Sequence, residues 1–85
     1  MYYVYVLINH KGESYIGVTG DLKNRVAEHN AGASPSTKQR SWRLAYYEAY
    51  AAKSDATRRE KRLKDDGRAR YQLMQRISAG KTFVW

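Results

Sequence analysis

Three polar residues occupy positions where helical spacing calls for apolar ones. In the segment 21–32 (DLKNRVAEHNAG), Leu22, Arg25, Val26 and His29 recur at helical intervals, so a guanidinium and an imidazole share one stripe with two aliphatic groups. A guanidinium on such a stripe needs an anion or an aromatic face, because burying it unpaired is costly. The plainer alternative is that Arg25 reaches solvent at the helix edge and His29 is a satisfied helix-end histidine. Glu60 repeats the pattern. Ala56, Glu60 and Leu63 are spaced i, i+4, i+7, which places a carboxylate on an apolar line among Arg58, Arg59, Lys61 and Arg62. Such a carboxylate suits a hard metal ion or a structural clamp, as against an ordinary ion pair with Lys64 contributing about 0.3–0.5 kcal/mol. Tyr3 and Tyr5 alternate with Tyr2, Val4 and Val6; taken singly, strand tyrosines are packing residues with hydroxyls at the rim.

The elements that would position these groups can be read in order. Residues 2–8 (YYVYVLI) are aromatic and β-branched and predict a strand. Asn9-His10-Lys11-Gly12 reads as a hairpin loop, and residues 13–18 (ESYIGV) as a second strand. Gly17 inside that strand signals a bulge or a close backbone approach. Thr19 or Asp21 can cap the helix carrying Arg25 and His29, with Gly32 as its C-terminal cap. Residues 33–41 predict an exposed loop. Residues 42–50 (WRLAYYEAY) predict a third strand, Trp42, Leu44 and Tyr46 facing one way and Arg43, Ala45 and Tyr47 the other. Ser54 is the expected N-cap of a helix over 55–66, Gly67 its stop, and a last helix spans 69–78 on a stripe of Leu73, Met74 and Ile77 before Gly80. The expectation is an α+β fold, β-β-α-β-α-α, with a small three-stranded antiparallel sheet flanked by helices. Residues 1–80 would form the single domain and 81–85 (KTFVW) an apolar tail packed on the body or on a partner subunit.

Composition narrows the function classes. The 85 residues contain no cysteine, which excludes disulfides and a thiolate metal site. No apolar run approaches the roughly 20 residues of a membrane span, and the N-terminus lacks the basic region and cleavage site of a signal peptide; a cytoplasmic protein is expected. The net charge of +8 is uneven, with six basic and four acidic side chains in residues 1–50 and ten and four in residues 51–85. A basic half points to a polyanion, of which nucleic acid is the commonest, or to a helix surface kept solvated by cations.

The spacing of these residues resembles a known signature. Tyr3-Val4-Tyr5 and, ten residues after Tyr5, Tyr15-Ile16-Gly17 are similar to the paired motif of the GIY-YIG nuclease superfamily, with Tyr3 where the leading glycine stands. Arg25 follows Tyr15 by ten residues and His29 by four more, as in the family's R-x-x-x-H helix, and Glu60 in REKRLK resembles its metal-binding glutamate. The likeness spans roughly residues 2–75 and is nearest in style to the single-domain bacterial YhbQ-like branch. Many family nucleases carry an asparagine after the glutamate helix; this chain has none beyond Asn30.

The resemblance implies a metal-dependent endonuclease acting on nucleic acid, DNA ahead of RNA, with a role in repair suggested by family analogy alone. Tyr5, assisted by Tyr15, would take the proton of the attacking water. Its phenol, which titrates near 10 when unperturbed, would have to be lowered by Arg25, the metal and His29. Arg25 would hold the phosphate, and Glu60 would bind one Mg²⁺ or Mn²⁺. Lys11, Lys38, Arg40, Arg58, Arg59 and Arg62 are the expected nucleic-acid contacts, and the protein would be a monomer or weak dimer. A non-catalytic nucleic-acid-binding module on the same fold is the alternative, since phosphate contact and base stacking need only basic charge and aromatic rings.

Overall fold

The computed structural model describes residues 1–9, 11–31 and 42–80, with side chains through Ile77. The element order is β1 (Tyr2–Asn9), β2 (Ser14–Thr19), α1 (Leu22–Asn30), β3 (Trp42–Tyr50), α2 (Lys53–Asp65) and α3 (Gly67–Gly80). This is the predicted order, with boundaries moved by a residue or two, as is usual at element ends. Gly32, residues 33–41 and the 81–85 tail lie outside the described residues.

The sheet is antiparallel with strand order β2-β1-β3. The β1–β2 turn is closed by Asn9, whose Oδ1 accepts from the backbone of Lys11 and Glu13, both at 3.0 Å. Gly12 supplies the positive φ of 79° that the turn requires.

Because strand side chains alternate, β1 feeds two cores. Tyr5 and Leu7 pack with Leu22, Val26, Trp42 and Leu44 under α1; Val4 and Val6 pack with Ile16, Ala56, Leu63 and Leu73 under α2 and α3. Helices thus cover both faces of a central strand that is almost wholly buried.

The predicted alternation of β3 breaks midway. Leu7 pairs with Leu44 but Val6 with Tyr46, so Ala45 is an extra residue, a β-bulge. Trp42 and Leu44 therefore pack with the α1 core, whereas Tyr46 and Tyr50 pack with the α2–α3 core.

Two helix ends also differ from expectation. Ala52, not Ser54, is the N-cap of α2, and it makes no side-chain capping bond; Ser54 lies within the first turn, and Asp55 there complements the helix dipole. Gly67 does not stop α2 but opens α3. Asp66 serves both helices: its N–H donates to the Arg62 carbonyl, and its carboxylate accepts from the N–H groups of Arg68 and Ala69 at 3.0 and 3.3 Å.

Candidate active site

On the α1 face, Tyr3 and Tyr5 of β1 and Tyr15 of β2 join the cluster under the helix, whereas Tyr2 packs on the other side. Tyr5 is 1% exposed and His29 is fully buried. Tyr5 Oη lies 2.9 Å from His29 Nε2, and Arg25 Nε donates to the same oxygen at 3.4 Å. The two polar residues on the Leu22–Val26 stripe therefore face a phenol. Tyr15 closes the group, its ring 4.7 Å from the imidazole and 6.3 Å from the Tyr5 ring, centroid to centroid.

The backbone of β2 makes room for this phenol. Gly17 sits opposite Tyr5 in the sheet, and a Cβ built there would come within 2.5 Å of Tyr5 Oη and 2.6 Å of Cζ. The close approach anticipated at Gly17 is thus the seat of the Tyr5 hydroxyl. Gly17→Ala is expected to destabilise the fold by about 1–3 kcal/mol, since a buried ring with close neighbours cannot move aside. A urea titration reads this directly; a midpoint equal to wild type would mean that Tyr5 is not seated against β2.

Asn30 holds the end of α1 in place. Its amide oxygen accepts from the Trp42 N–H at 2.7 Å, and its amide nitrogen donates to the Trp42 carbonyl at 3.0 Å. The pair of bonds ties the helix turn bearing His29 to the start of β3.

Glu60 approaches from the other side. Helix α2 packs on the opposite sheet face, but its flank toward β2 carries Glu60 and Lys64. Lys64 Nζ lies 3.3 Å from Glu60 Oε2 and 6.0 Å above the Tyr15 ring. The Glu60 charge is felt at Tyr5, where it opposes ionisation. Glu60 thus forms the i, i+4 pair with Lys64, and its charge acts on Tyr5.

The electrostatics run against one expectation. Tyr5 is not lowered but raised above the usual phenol range, chiefly by burial, which outweighs the lowering effect of the Arg25 hydrogen bond. His29 is lowered below the ordinary imidazole value by burial and by the positive charge of Arg25. The pair at rest is a neutral phenol beside a neutral imidazole.

The arginines of α2 are arranged differently. Arg59 keeps its guanidinium on Glu48 of β3, with bonds of 2.9 and 3.0 Å, an arrangement the sequence reading does not anticipate. Arg58 and Arg62 stand on the same flank as Arg59, with exposed partners at Asp55 and Asp66. Since β2 and β3 are opposite sheet edges, these arginines lie across the helix from Glu60 and do not border the tyrosine cluster. Lys11 is exposed in the β1–β2 turn, four residues before Tyr15. Lys38 and Arg40 lie outside the described residues.

Residues 1–72 match the model of the GIY-YIG catalytic domain family. The chain belongs to the GIY-YIG family. Among its relatives, a UPF0213 protein of Halobacterium salinarum is 41% identical over 76 residues, covering 87% of this chain and 99% of the relative. A UPF0213 protein of Lacticaseibacillus paracasei is 42% identical over 74 residues, covering 85% and 83%. The solution NMR structure of a UPF0213 protein from Bacillus halodurans is similar in fold, with a TM-score of 0.56 and 33% identity over 88% of this chain and 84% of that one. The three-stranded sheet with three helices is thus that of small, single-domain GIY-YIG relatives. No helix among the described residues is long and apolar enough to cross a membrane.

Proposed function

We propose that this GIY-YIG domain is a divalent-metal-dependent endonuclease that hydrolyses nucleic-acid phosphodiesters, DNA before RNA. The observation that carries this reading is the meeting of Arg25, His29 and Tyr15 around the Tyr5 hydroxyl, in a chain whose family is one of catalytic domains.

Each group has a task it can perform. Oη of Tyr5 takes the proton of the attacking water while its own proton passes to His29. In the tautomer protonated at Nδ1, Nε2 accepts that hydrogen, and burial keeps the imidazole neutral and able to do so. This relay removes the need for a standing phenolate, which the raised Tyr5 would not supply at neutral pH. Arg25, a charged fork one bond from the same oxygen, holds the non-bridging oxygens as negative charge gathers on the phosphate.

Glu60 fits a magnesium or manganese ion of the kind that binds through one or two carboxylates and completes its shell with water and substrate oxygens. No group of three or more His, Cys, Asp or Glu side chains clusters among the described residues, so the binding expected of the protein alone is weak. When bound, the ion supplies charge stabilisation to the leaving oxygen. Lys64 would release Glu60 to it. Lys11 and, farther out, Arg58 and Arg62 would follow the phosphate backbone.

Cleavage of a panel of single-stranded, duplex and branched DNA and RNA, with Mg²⁺, Mn²⁺ or chelator, tests the reading. Arg25→Ala is expected to lower the rate about a hundredfold, and Glu60→Ala to lower it and raise the metal concentration needed. Variants that cut like wild type would end the nuclease assignment. Salt-sensitive binding without cleavage under any metal would favour the non-catalytic module.

A further inference from the structure

Among the described residues, few large apolar side chains stand exposed, and one of them is on the α1 face. Tyr47 is 42% exposed although it is a mid-strand residue. It is the direct cross-strand neighbour of Tyr5, so it projects on the same face as the candidate active site. Its ring meets Tyr3 edge-on at 5.9 Å and 69°. Tyr3 is the ring that stands where the GIY-YIG signature has its leading glycine, so the pair exists only because this chain departs from that signature.

The two rings open onto a surface cavity of about 310 Å³, lined also by Gly20, Asp21, Leu22 and Lys23 at the start of α1. The volume is at the lower end of the range for small-molecule sites. Its chemistry is specific: two aromatic faces, a carboxylate acceptor and an ammonium. Arg25 follows Leu22 by three residues, just under one helical turn or about 4.5 Å along the axis. The cavity thus lies at the first turn of α1, the helix that also carries the guanidinium to which the phosphate is assigned above.

We infer that the Tyr3–Tyr47 cavity is a stacking subsite for one unpaired nucleobase of the strand whose phosphate Arg25 holds. The inference rests on the proposed nuclease reading for the position of that phosphate and deepens it by naming the substrate class. A ring exposed at a cavity wall offers a base the π-face it loses on leaving its own stack. Asp21 can accept from an exocyclic amine, and Lys23 can neutralise the adjoining phosphate. Bases stacked within a duplex cannot enter. The preferred substrates are single strands, frayed ends and unpaired positions in branched structures.

The test is metal-free binding, measured by anisotropy, of an oligodeoxycytidylate and of an abasic phosphodeoxyribose oligomer of the same length. Wild type is expected to favour the base-bearing strand. Tyr47→Ala is expected to weaken that strand about tenfold and to leave the abasic oligomer unchanged, with Tyr47→Phe restoring binding. Because Tyr47 is exposed, its truncation does not threaten the fold. In a parallel titration, ring protons of Tyr3 and Tyr47 should move upfield as bases stack on them. Equal losses for both oligomers, or no loss for either, would overturn the inference, as would a wild type that does not distinguish them. Cleavage does not enter these readouts. A catalytically silent protein that still reads bases would sink the nuclease assignment alone, and a nuclease indifferent to bases would sink the subsite alone.

Discussion

Tyr5→Phe is expected to slow phosphodiester cleavage about a thousandfold while leaving nucleic-acid affinity near wild type. The substitution removes one oxygen, and that oxygen is where Arg25 and His29 meet. If Tyr5 relays the water's proton to His29, phenylalanine leaves no path, whereas the ring, its packing and the Arg25 charge survive. Some stability is lost as well, because His29 Nε2 loses a buried partner. Single-turnover rates at saturating substrate separate the chemical effect from folding and binding; a variant within a few fold of wild type would exclude Tyr5 as the relay. The pH profile supplies a second check. His29 is lowered below the ordinary imidazole value of 6.5 by burial and by Arg25, so it stays neutral through pH 7 and accepts a proton only in more acidic solution. Imidazolium has no lone pair for the Tyr5 hydrogen. The acid limb of the rate should therefore lie below pH 6.5, with the rate falling as pH drops through it.

Glu48→Ala is expected to cost about 2–4 kcal/mol of folding stability. Glu48 accepts from Tyr46 at 2.5 Å, Tyr50 at 2.6 Å and both nitrogens of the Arg59 fork. Its side chain is 17% exposed and that of Arg59 is 29%. Truncation leaves two phenols without their acceptor and a guanidinium half out of water without its counter-ion. Urea denaturation measures the loss; an unchanged midpoint would reduce the network to a surface ornament. Its pH dependence has a definite sign. Burial raises the Glu48 carboxyl, but hydrogen bonds from Arg59, Tyr46 and Tyr50 more than offset this and hold it below the ordinary 4.5. The folded state therefore favours the ionised form, and its contribution is full above that value and fades as pH falls through the lowered one. Tyr50 acts at the other end, its phenol pushed up to about 12 by burial and by Glu48. The proton is held more tightly when folded, so that contribution is present below pH 10 and is lost toward pH 12.

The departure of Tyr3 from the family signature and the departure of Tyr5 from an easily ionised phenol bear on the same strand. Tyr3 adds a ring to the cluster around Tyr5, and burial in that cluster is the chief cause that raises the Tyr5 phenol. Burial of Tyr5 strengthens each hydrogen bond to it, and the proposed subsite would favour a substrate that brings unstacked bases with it.

Local periodicity alone determined most of what positions the candidate site. The alternation of residues 2–8, the Leu22–Val26 stripe with Arg25 and His29 on it, the Ala56–Leu63 line holding Glu60 and the misplaced-looking Gly17 are properties of a few neighbouring residues, and side-chain direction follows backbone period. What the tertiary structure decided involves residues far apart in the chain. The bulge at Ala45 sends Tyr46, Glu48 and Tyr50 to the α2 face, and only that register brings Glu48 under Arg59. No local signal marks which of several α2 arginines will find a carboxylate on β3. The direction of the Tyr5 shift was likewise out of reach, because desolvation depends on what closes over the ring, and that is set by α1 docking on the sheet.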